Sequence, residues 1–556
     1  MQFLNTESFN YSDYLDHWAE KQGDRTAVTV RATGESITFA ALANRTCAYA
    51  RGFRRIGVEP GMRTVLMVRP GIDFLPLTFA LFRIGAVPVL IDPGMSRSNL
   101  LGCVSQVRPA AFVGIPLAHL VRLVFRRYFR TVRINVTIGR KFLWGGYDLG
   151  DLFVDNGSDS PAATTTTQDL AAIIFTTGST GLPKGVMYTH GMFDAQRSIL
   201  QEIFDVTADD IDMPGFTLFA LFTLAMGMPV AIPEMNPTRP ADVEPQKIIS
   251  TVNDSKITFS FGSPALWNTV SAHCVEQGIR LPGLRRVIMA GAPVAAYLHE
   301  RLLRHILPEG ADTYTPYGAT ECLPVTMNRG TKILADTADL TAAGSGVCVG
   351  LPVPGVRLQI MRISDGIVPW LQDAEILPPG EVGEIIVQGP NVSRLYFDLP
   401  EQTALHKIYE TDDRANGLFW HRIGDVGYLD DAGQLWFCGR SVHRVETGVE
   451  SMYTVCCEAI FNNHTNVFRS ALVGAGNERY RQIPVIIIEP HPDHFPVTDE
   501  SRNRFTRELL ELGQASDVTR SIRHVLFNKS FPVDIRHNAK IFREQLAIWA
   551  TEKVRR

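Results

Sequence analysis

A loop rich in glycine and hydroxyl residues, directly after residue 175, limits the possible folds and functions of this chain more than any other sequence feature. An apolar run over 171–175 reads as a buried strand, and the loop TTGSTGLPKG follows over 176–185. Glycines let the backbone turn its N–H groups inward, and the hydroxyls and a lysine add further donors. This pattern is typical of a phosphate cradle, most plausibly for a nucleotide triphosphate. The expected phosphate-binding residues are Thr176, Thr177, Gly178, Ser179, Thr180, Gly181 and Lys184.

This loop is not a Walker loop, which ends in Gly-Lys followed by Ser or Thr. Pro183 precedes Lys184, and Gly185 follows it. A polar surface turn is the competing interpretation, and the density of donors directly after an apolar strand disfavours it. The sequence therefore predicts a nucleotide-binding loop of another class.

Helices alternate with short strands through the first part of the chain. Apolar periodicity predicts a helix up to Ile56, a strand over 64–68, a helix near 74–84 and a strand over 86–91. This alternation is typical of an α/β sandwich with mostly parallel sheets. A chain of 556 residues is also long enough for a second, smaller domain. A composition break after Arg440 predicts domains at 1–439 and 440–556, the second an α+β unit.

Several weaker sequence features bear on the cellular compartment of the protein. The 21 residues Met213–Pro233 carry no charge, a length that could cross a bilayer. Prolines and glycines interrupt this span, so we predict buried core or the wall of an apolar channel. The N-terminus lacks a signal-peptide pattern, and the eight cysteines form no C-x-x-C pair. We therefore expect a cytoplasmic protein with reduced thiols.

Residues 115–142 are rich in both arginine and large apolar residues. One interpretation is a basic amphipathic helix that touches a membrane surface or an acidic partner. The other is an ordinary surface helix with solvated arginines. The sequence favours neither of them. The whole chain has a net charge of −4, so we expect no nucleic-acid partner.

A second group of polar residues lies in the segment Tyr317–Glu321, YGATE. An aromatic ring such as that of Tyr317 can stack on a purine. The hydroxyl of Thr320 can bond an α-phosphate. The carboxylate of Glu321 suits Mg²⁺, which is held by few carboxylates together with phosphate oxygens. Taken alone, the segment is equally consistent with a turn and its capping residue.

Several segments together resemble the signatures of the acyl-adenylate-forming superfamily, which is also called the ANL or AMP-binding superfamily. They are the phosphate loop, the YGATE segment, the turn 291–293, the stretch 421–440 and the stretch 531–543. The resemblance implies the ANL fold, in which a large N-terminal domain of layered, mostly parallel sheets and helices carries a small C-terminal α+β domain on a hinge. It also implies ATP and Mg²⁺ as cofactors.

The resemblance assigns roles to individual residues. The turn 291–293 would line the adenine, and Asp425 with Arg440 would bind the ribose hydroxyls. The nucleotide contacts implied outside the loop are Gly291, Ala292, Pro293, Tyr317, Gly318, Asp425 and Arg440. A lysine before the last helix would neutralise charge between the substrate carboxylate and the α-phosphate. The implied catalytic residues are Lys540, Thr320 and Glu321, with Glu321 as the metal ligand.

The chain departs from the thiol-using members of this superfamily after Arg440. Those members carry a charged hinge residue and then a Gly-x-Arg-Ile-Glu run, whereas this chain has Val442 at the hinge and lacks the run. These departures, with the segments 236–240, 318–325, 435–447 and 532–540, resemble the OleC-type β-lactone synthetases of bacterial olefin biosynthesis. That branch adenylates a long-chain 2-alkyl-3-hydroxy fatty acid with ATP. The β-hydroxyl of the acid then displaces AMP and closes a β-lactone.

The branch resemblance also implies partners and a substrate pocket. The partners are the thiolase-like, reductase and α/β-hydrolase-type decarboxylase enzymes of the same pathway, as an assembly or separately, with at most peripheral membrane contact. Two long alkyl arms need an apolar pocket. The residues expected to line it are Phe216, Phe219, Phe222 and Gly262. Each of the three phenylalanines is as consistent with plain core.

Two other functions stay open at this stage. A long-chain fatty acid–CoA ligase would use the same acyl-adenylate intermediate. A non-catalytic scaffold would bind acyl chains through the apolar span and partners through the arginine-rich segment. The group that takes the hydroxyl proton is not identified, and His190 and His421 are candidates by residue type only.

Overall fold

A computed structural model describes residues 8–92, 94–154, 162–176, 183–415, 417–533 and 541–554. The predicted site residues Thr177, Gly178, Ser179, Thr180, Gly181 and Lys540 lie outside the described residues. The helices are α1 Asp13–Gln22, α2 Phe39–Arg55, α3 Phe74–Arg83, α4 Arg97–Val107, α5 Pro116–Val124, α6 Leu149–Leu152, α7 His190–Phe204, α8 Ala220–Ala225, α9 Pro245–Asp254, α10 Pro264–Glu276, α11 Ala296–Arg301, α12 Gly330–Lys332, α13 Ala338–Ala342, α14 Pro400–His406, α15 Thr454–Asn462, α16 Asp499–Gln514 and α17 Arg543–Val554.

The strands are β1 Thr26–Val30, β2 Ser36–Thr38, β3 Arg63–Met67, β4 Val87–Leu90, β5 Ala111–Gly114, β6 Ile134–Thr137, β7 Tyr147–Asp148, β8 Leu170–Phe175, β9 Gly185–Thr189, β10 Asp212–Pro214, β11 Val230–Ile232, β12 Phe259–Gly262, β13 Arg286–Met289, β14 Asp312–Ala319, β15 Cys322–Arg329, β16 Val347–Pro352, β17 Arg357–Met361, β18 Gly383–Gln388, β19 Lys407–Tyr409, β20 Phe419–Leu429, β21 Leu435–Arg440, β22 Val445–Glu446, β23 Ser451–Met452, β24 Val467–Ala475, β25 Ile483–Pro490 and β26 His524–Phe527.

The smaller of two large sheets has seven strands in the order β7-β6-β5-β3-β4-β8-β9. Neighbours are parallel except for β8 and β9, which form an antiparallel pair at one edge. Parallel strands need crossover helices, and the amphipathic helices between the strands supply them. Gly85, with a φ of 69°, turns the chain between α3 and β4. The predicted helix–strand alternation of the first part is confirmed.

The larger sheet has fourteen strands in the order β17-β18-β20-β21-β16-β15-β14-β13-β12-β10-β11-β1-β2, with β19 paired to β20. From β1 to β14 along this order the strands are parallel, and from β14 to β17 they are antiparallel. The parallel half agrees with the predicted α/β class. The antiparallel half is a feature that the helix–strand alternation does not predict.

The chain beyond Arg440 builds its own small sheet from β24, β25 and β26, against which α15, α16 and α17 pack. Two apolar clusters of this part contain only residues after 440. Val442 lies in a short 3₁₀ turn and is 66% exposed.

One carboxylate ties this C-terminal part to the preceding chain. Oδ1 of Asp365 lies 2.5 Å from Nη2 of Arg479 and 3.5 Å from Nη2 of Arg444. Oδ2 accepts a hydrogen bond from the hydroxyl of Tyr480 at 2.9 Å. Side chains from two places beyond Arg440 therefore converge on Asp365.

The uncharged span Met213–Pro233 forms β10, α8 and β11. Most of its apolar side chains are buried, among them Met213, Leu221, Leu224 and Met228. The prediction of buried structure is confirmed for this span. Within the described ranges, no helix combines the length and apolarity needed to cross a bilayer.

Candidate active site

Several of the predicted site residues lie at one edge of the larger sheet, where the neighbouring parallel strands β10, β12, β13 and β14 end. Phe216 follows β10, Gly262 ends β12, and the turn 291–293 follows β13. Tyr317 and Gly318 lie near the end of β14. Ligands of open α/β sheets bind at this edge, because the loops that leave neighbouring strands converge there.

The YGATE segment bends from β14 into β15 at the centre of this edge. A Cβ atom on Gly318 would lie 2.4 Å from the carbonyl oxygen of Cys322, so the bend requires glycine. The hydroxyl of Tyr188 on β9 donates a 2.5 Å hydrogen bond to the backbone carbonyl of Thr320. This bond fastens the smaller sheet to the segment, so the site lies where the two large sheets meet.

Glu321 is a buried carboxylate with one oxygen already bonded. The hydroxyl of Tyr396 donates a 2.5 Å hydrogen bond to its Oε1. Burial, and then the charge of Glu321, raise the pKa of Tyr396 far above its ordinary value. Tyr396 therefore stays protonated and orients the carboxylate at neutral pH.

The phosphate loop joins the antiparallel edge strands β8 and β9, with Phe175 opposite Gly185. The backbone N–H of Thr176 donates to the carbonyl of Lys184 at 3.0 Å. The N–H of Lys184 donates in return to Oγ1 of Thr176, also at 3.0 Å. These bonds hold the two ends of the loop side by side at the edge of the smaller sheet.

Asp425 and Arg440 are directly opposite each other on β20 and β21. Nε of Arg440 lies 3.0 Å from Oδ1 of Asp425, and the hydroxyl of Tyr317 donates to Oδ2 at 2.6 Å. The carboxylate raises the pKa of Arg440 above its ordinary value. The residues predicted to hold the ribose and the base thus form one hydrogen-bonded group.

The predicted adenine turn leaves β13 through Gly291, which has a φ of 91°. Only glycine adopts this left-handed conformation without strain. Gly291 and Pro293 are exposed, and Ala292 is partly exposed, so the turn is open to a ligand.

The residues predicted to bind the acyl chain divide into two pairs. Phe216 and Gly262 lie at the sheet edge. Phe219 stacks on Phe261 with ring centroids 4.2 Å apart, and Phe222 packs 5.8 Å from the ring of Phe193. Phe219 and Phe222 therefore contribute to the core beneath the edge. A role of all four in acyl binding stays a prediction.

Comparison with known proteins identifies the family. The model of a family described as AMP-binding enzyme matches residues 15–397. The chain belongs to the AMP-binding enzyme family. It is 42% identical to an olefin β-lactone synthetase of Xanthomonas campestris pv. campestris, over 96% of this chain and 94% of that protein. It is 43% identical to one from Stenotrophomonas maltophilia, over 93% and 92%. A feruloyl-CoA synthase of an Amycolatopsis species is 27% identical over 84% and 86%.

Solved structures support the fold of this AMP-binding enzyme. The amide bond synthetase McbA of Marinactinospora thermotolerans superposes with a TM-score of 0.77 at 21% identity, covering 97% of this chain and 99% of that one. The anthranilate CoA ligase AuaEII gives 0.79 at 18% identity and 99% coverage of both chains. The predicted ANL fold is confirmed. The family and the relatives make the protein an ATP-using, AMP-forming enzyme of the ligase type.

The donors at Glu321 fit the predicted Mg²⁺. In the part of this AMP-binding enzyme that the structure describes, no three His, Cys, Asp or Glu side chains are grouped so that they could hold a metal ion. A lone carboxylate suits a cation that takes most of its ligands from phosphate and water, as Mg²⁺ does. Glu321 would hold such an ion, and Tyr396 would fix the direction of its carboxylate.

A buried basic cluster lies beside Glu321. Nζ of Lys184 lies 2.6 Å from Nε2 of His406, and Nζ of Lys407 lies 3.1 Å from Nδ1 of His421, which is also 3.2 Å from the carbonyl oxygen of His406. Burial lowers the pKa of Lys407 to about 7. Burial, followed by the charges of Lys184 and Lys407, lowers the pKa of His406 to about 2. Burial likewise lowers the pKa of His421, so both histidines are neutral at pH 7.

Sequence reasoning did not single out Tyr396, His406 or Lys407. A lysine between a polar helix and a strand is usually exposed, and nothing in its neighbours indicates otherwise. Lys407 is buried because its side chain turns inward and donates to the carbonyl of Ser393. Only the tertiary contacts bring this group to Glu321.

His190, one of the two candidate bases, lies in an aromatic part of the core. Its Nδ1 accepts a hydrogen bond from the N–H of Tyr11 at 3.2 Å, and its ring lies 6.0 Å from that of Phe82. Burial lowers its pKa to about 4. These contacts favour a structural role for His190, and they place His421 alone of the two candidates beside the basic cluster.

Replacing Lys407 by methionine is expected to flatten the pH dependence of stability between pH 7 and 10.5. In this window the unfolded chain binds the lysine proton and the folded protein does not, so stability of the wild type rises with pH. The lost slope is at most about 1.4 kcal/mol per pH unit. Urea unfolding at several pH values measures it. The exposed Lys553→Met is the control, and equal slopes for wild type and Lys407→Met would contradict the assignment.

Proposed function

We propose that the protein adenylates a long-chain 2-alkyl-3-hydroxy fatty acid and closes it to a β-lactone. The observation that carries the proposal is the 42–43% identity to two olefin β-lactone synthetases over 92–96% of the chains compared. Relatives named as CoA-using enzymes are only 26–27% identical.

In the first step, a carboxylate oxygen of the acid attacks the α-phosphorus of ATP, and pyrophosphate leaves. We assign Thr320 to the α-phosphate, and Thr176 and Lys184 to the β- and γ-phosphates. Lys540 neutralises charge between the carboxylate and the α-phosphate. Glu321 would hold Mg²⁺, which would neutralise charge on the phosphate oxygens. Asp425, Arg440 and Tyr317 hold the nucleoside.

In the second step, the β-hydroxyl oxygen attacks the acyl carbon, the bond to AMP breaks, and the hydroxyl proton is lost. The nucleophile is part of the substrate, so the site needs to hold it against the acyl carbon and need not admit a thiol. Val442, which is exposed and uncharged, occupies the hinge position of this chain. The thiol-using members that the sequence resembles have a charged residue there, and this difference supports the proposal.

We further propose that 1–439 and 440–556 are separate domains joined at 440–442. The separate sheet β24–β26 and the apolar clusters beyond 440 support this boundary. In the cytoplasm, thiolase-like and reductase enzymes would supply the hydroxy acid, and an α/β-hydrolase-type enzyme would decarboxylate the lactone. The word olefin in the names of two relatives supports this place in a reaction sequence.

The product made without CoA tests the proposed function. We expect AMP and a product with the mass of the acid minus water from ATP, Mg²⁺ and a 2-alkyl-3-hydroxy acid, at a rate that added CoA does not change. With the matched acid that lacks the hydroxyl, the enzyme should still release pyrophosphate from ATP but should form no lactone. A strict need for CoA and a thioester product would instead establish a long-chain acyl–CoA ligase. Absence of pyrophosphate release would contradict both.

A further inference from the structure

A long stretch of the chain has an excess of positive charge. Between Asp92 and Asp148 there is no acidic residue, although the whole chain has a net charge of −4. The nine basic residues of this stretch are Arg97, Arg108, Arg122, Arg126, Arg127, Arg130, Arg133, Arg140 and Lys141. We call residues 116–143 the basic-apolar face.

Helix α5 presents apolar side chains to solvent within this face. Leu117, Leu120 and Val124 are 61%, 52% and 66% exposed. Their spacing of three and four residues places them on one side of the helix. The other side is anchored, because Ala118 and His119 are buried against the sheet.

The loop that follows β6 extends the same apolar surface. The ring of Trp144 stacks on that of His119, with centroids 5.4 Å apart and planes 6° from parallel. This contact holds the loop against α5. Phe142 and Leu143, next to Trp144, are exposed, and Leu143 is as open as in an extended chain. Helix α5 and the loop packed on its residue His119 therefore both expose apolar side chains.

The arginines around this apolar surface have few counter-charges. Arg126, Arg130 and Arg133 are exposed, and within the described ranges they form no ion pair, whereas Lys141 lies 3.7 Å from Asp148 and 3.5 Å from Asp151. Burial, and then the charge of Arg126, lower the pKa of Arg122 below its ordinary value. Three exposed arginines without ion pairs thus lie in the same segment as exposed apolar side chains, and this combination fits an anionic partner that also accepts apolar side chains.

We propose that the basic-apolar face docks the protein onto an anionic lipid bilayer. Leu117, Leu120, Leu143 and their neighbours enter the boundary between headgroups and acyl chains, and the arginines bind lipid phosphates. An acidic protein would match the charge, but protruding apolar tips match a deformable bilayer better than a rigid surface. The docking needs neither ATP nor a fatty acid, so it does not depend on the proposed function.

Sedimentation of the full-length protein with vesicles tests the docking. We expect binding to phosphatidylcholine vesicles that contain phosphatidylglycerol, weaker binding at high salt, and none to pure phosphatidylcholine. Arg126→Ser with Arg130→Ser should weaken binding about 30-fold, at about tenfold per 1.4 kcal/mol and ~1 kcal/mol per arginine. Leu117→Ser with Leu120→Ser should weaken it by at least about tenfold.

The matched control is Arg502→Ser with Arg507→Ser, which removes the same charge from exposed positions on α16. It should bind like the wild type. Absence of binding to anionic vesicles, equal binding to neutral ones, or an equal loss in the control would overturn the proposal. Binding to polyglutamate as tight as binding to vesicles would also overturn the proposal, because charge alone would then account for the affinity. Pyrophosphate release with a soluble short-chain 3-hydroxy acid should be the same in all variants, which separates loss of docking from loss of activity.

Discussion

Replacing Glu321 by glutamine is expected to slow ATP-dependent pyrophosphate release by about 10²–10³-fold. Glutamine keeps the shape of the side chain and an oxygen that accepts from Tyr396, but it removes the negative charge proposed to hold Mg²⁺. The Mg²⁺ concentration needed for half of the maximal rate should rise in parallel. Single-turnover release of pyrophosphate at saturating ATP, followed across a Mg²⁺ titration, measures both effects.

Glu410→Gln is the matched control for this variant. Oε1 of Glu410 accepts from Nε1 of Trp420 at 2.8 Å and from Nε2 of Gln388 at 2.9 Å, away from the proposed nucleotide site. This control should release pyrophosphate at nearly the wild-type rate. A Glu321→Gln enzyme as fast as the control would remove Glu321 from the metal site.

Replacing Asp425 by alanine is expected to raise the KM for ATP by about 10- to 100-fold, through the loss of a charge-assisted acceptor for the ribose. It should also destabilise the protein by about 1–3 kcal/mol, because the hydroxyl of Tyr317 loses its buried acceptor. The partly exposed Arg440 adds little to this loss, since water replaces the carboxylate. Initial rates over a range of ATP concentrations and thermal unfolding measure the two effects.

Asp430→Ala separates binding from stability, because Asp430 lies between the same two strands and makes a similar set of bonds. It accepts from Nε1 of Trp436 at 2.9 Å and from the N–H of Gln434 at 2.8 Å. This variant should lose comparable stability with an unchanged KM for ATP. If Asp425→Ala also left the KM for ATP unchanged, the carboxylate of Asp425 would have a structural role and would not bind the nucleotide.

Local patterns predicted those parts of the site that lie at strand ends. The turn 291–293 and the phosphate loop each follow an apolar strand in the sequence, and the YGATE segment begins in the last residues of β14. Parallel pairing brings the ends of β13 and β14 to one edge of the larger sheet, whereas the phosphate loop lies at the antiparallel edge of the smaller one. The helix–strand alternation and the overall α/β class were predictable for the same reason, since short-range periodicity decides them.

Contacts between distant parts of the chain were not predictable. Tyr396 reaches Glu321 across 75 positions, and Lys184 reaches His406 across 222. Nothing near Tyr396 or His406 in the sequence marks them as neighbours of the site. The packing of Phe219 against Phe261 was not predictable either, because the sequence pattern of an aromatic residue is the same in a pocket wall and in a core.

Asp365 connects two places in the C-terminal part to the preceding chain through one carboxylate. Arg444, Arg479 and Tyr480 all hold the same carboxylate, so a turn of the chain at Val442 has to release them together. Contacts that share one group break cooperatively. Moving the C-terminal part away from Asp365 would therefore break several contacts at once, and Nδ2 of Asn463 would also lose its bond to the carbonyl of Ala342. Under the proposed function both chemical steps could proceed with these contacts in place, because the nucleophile is part of the substrate.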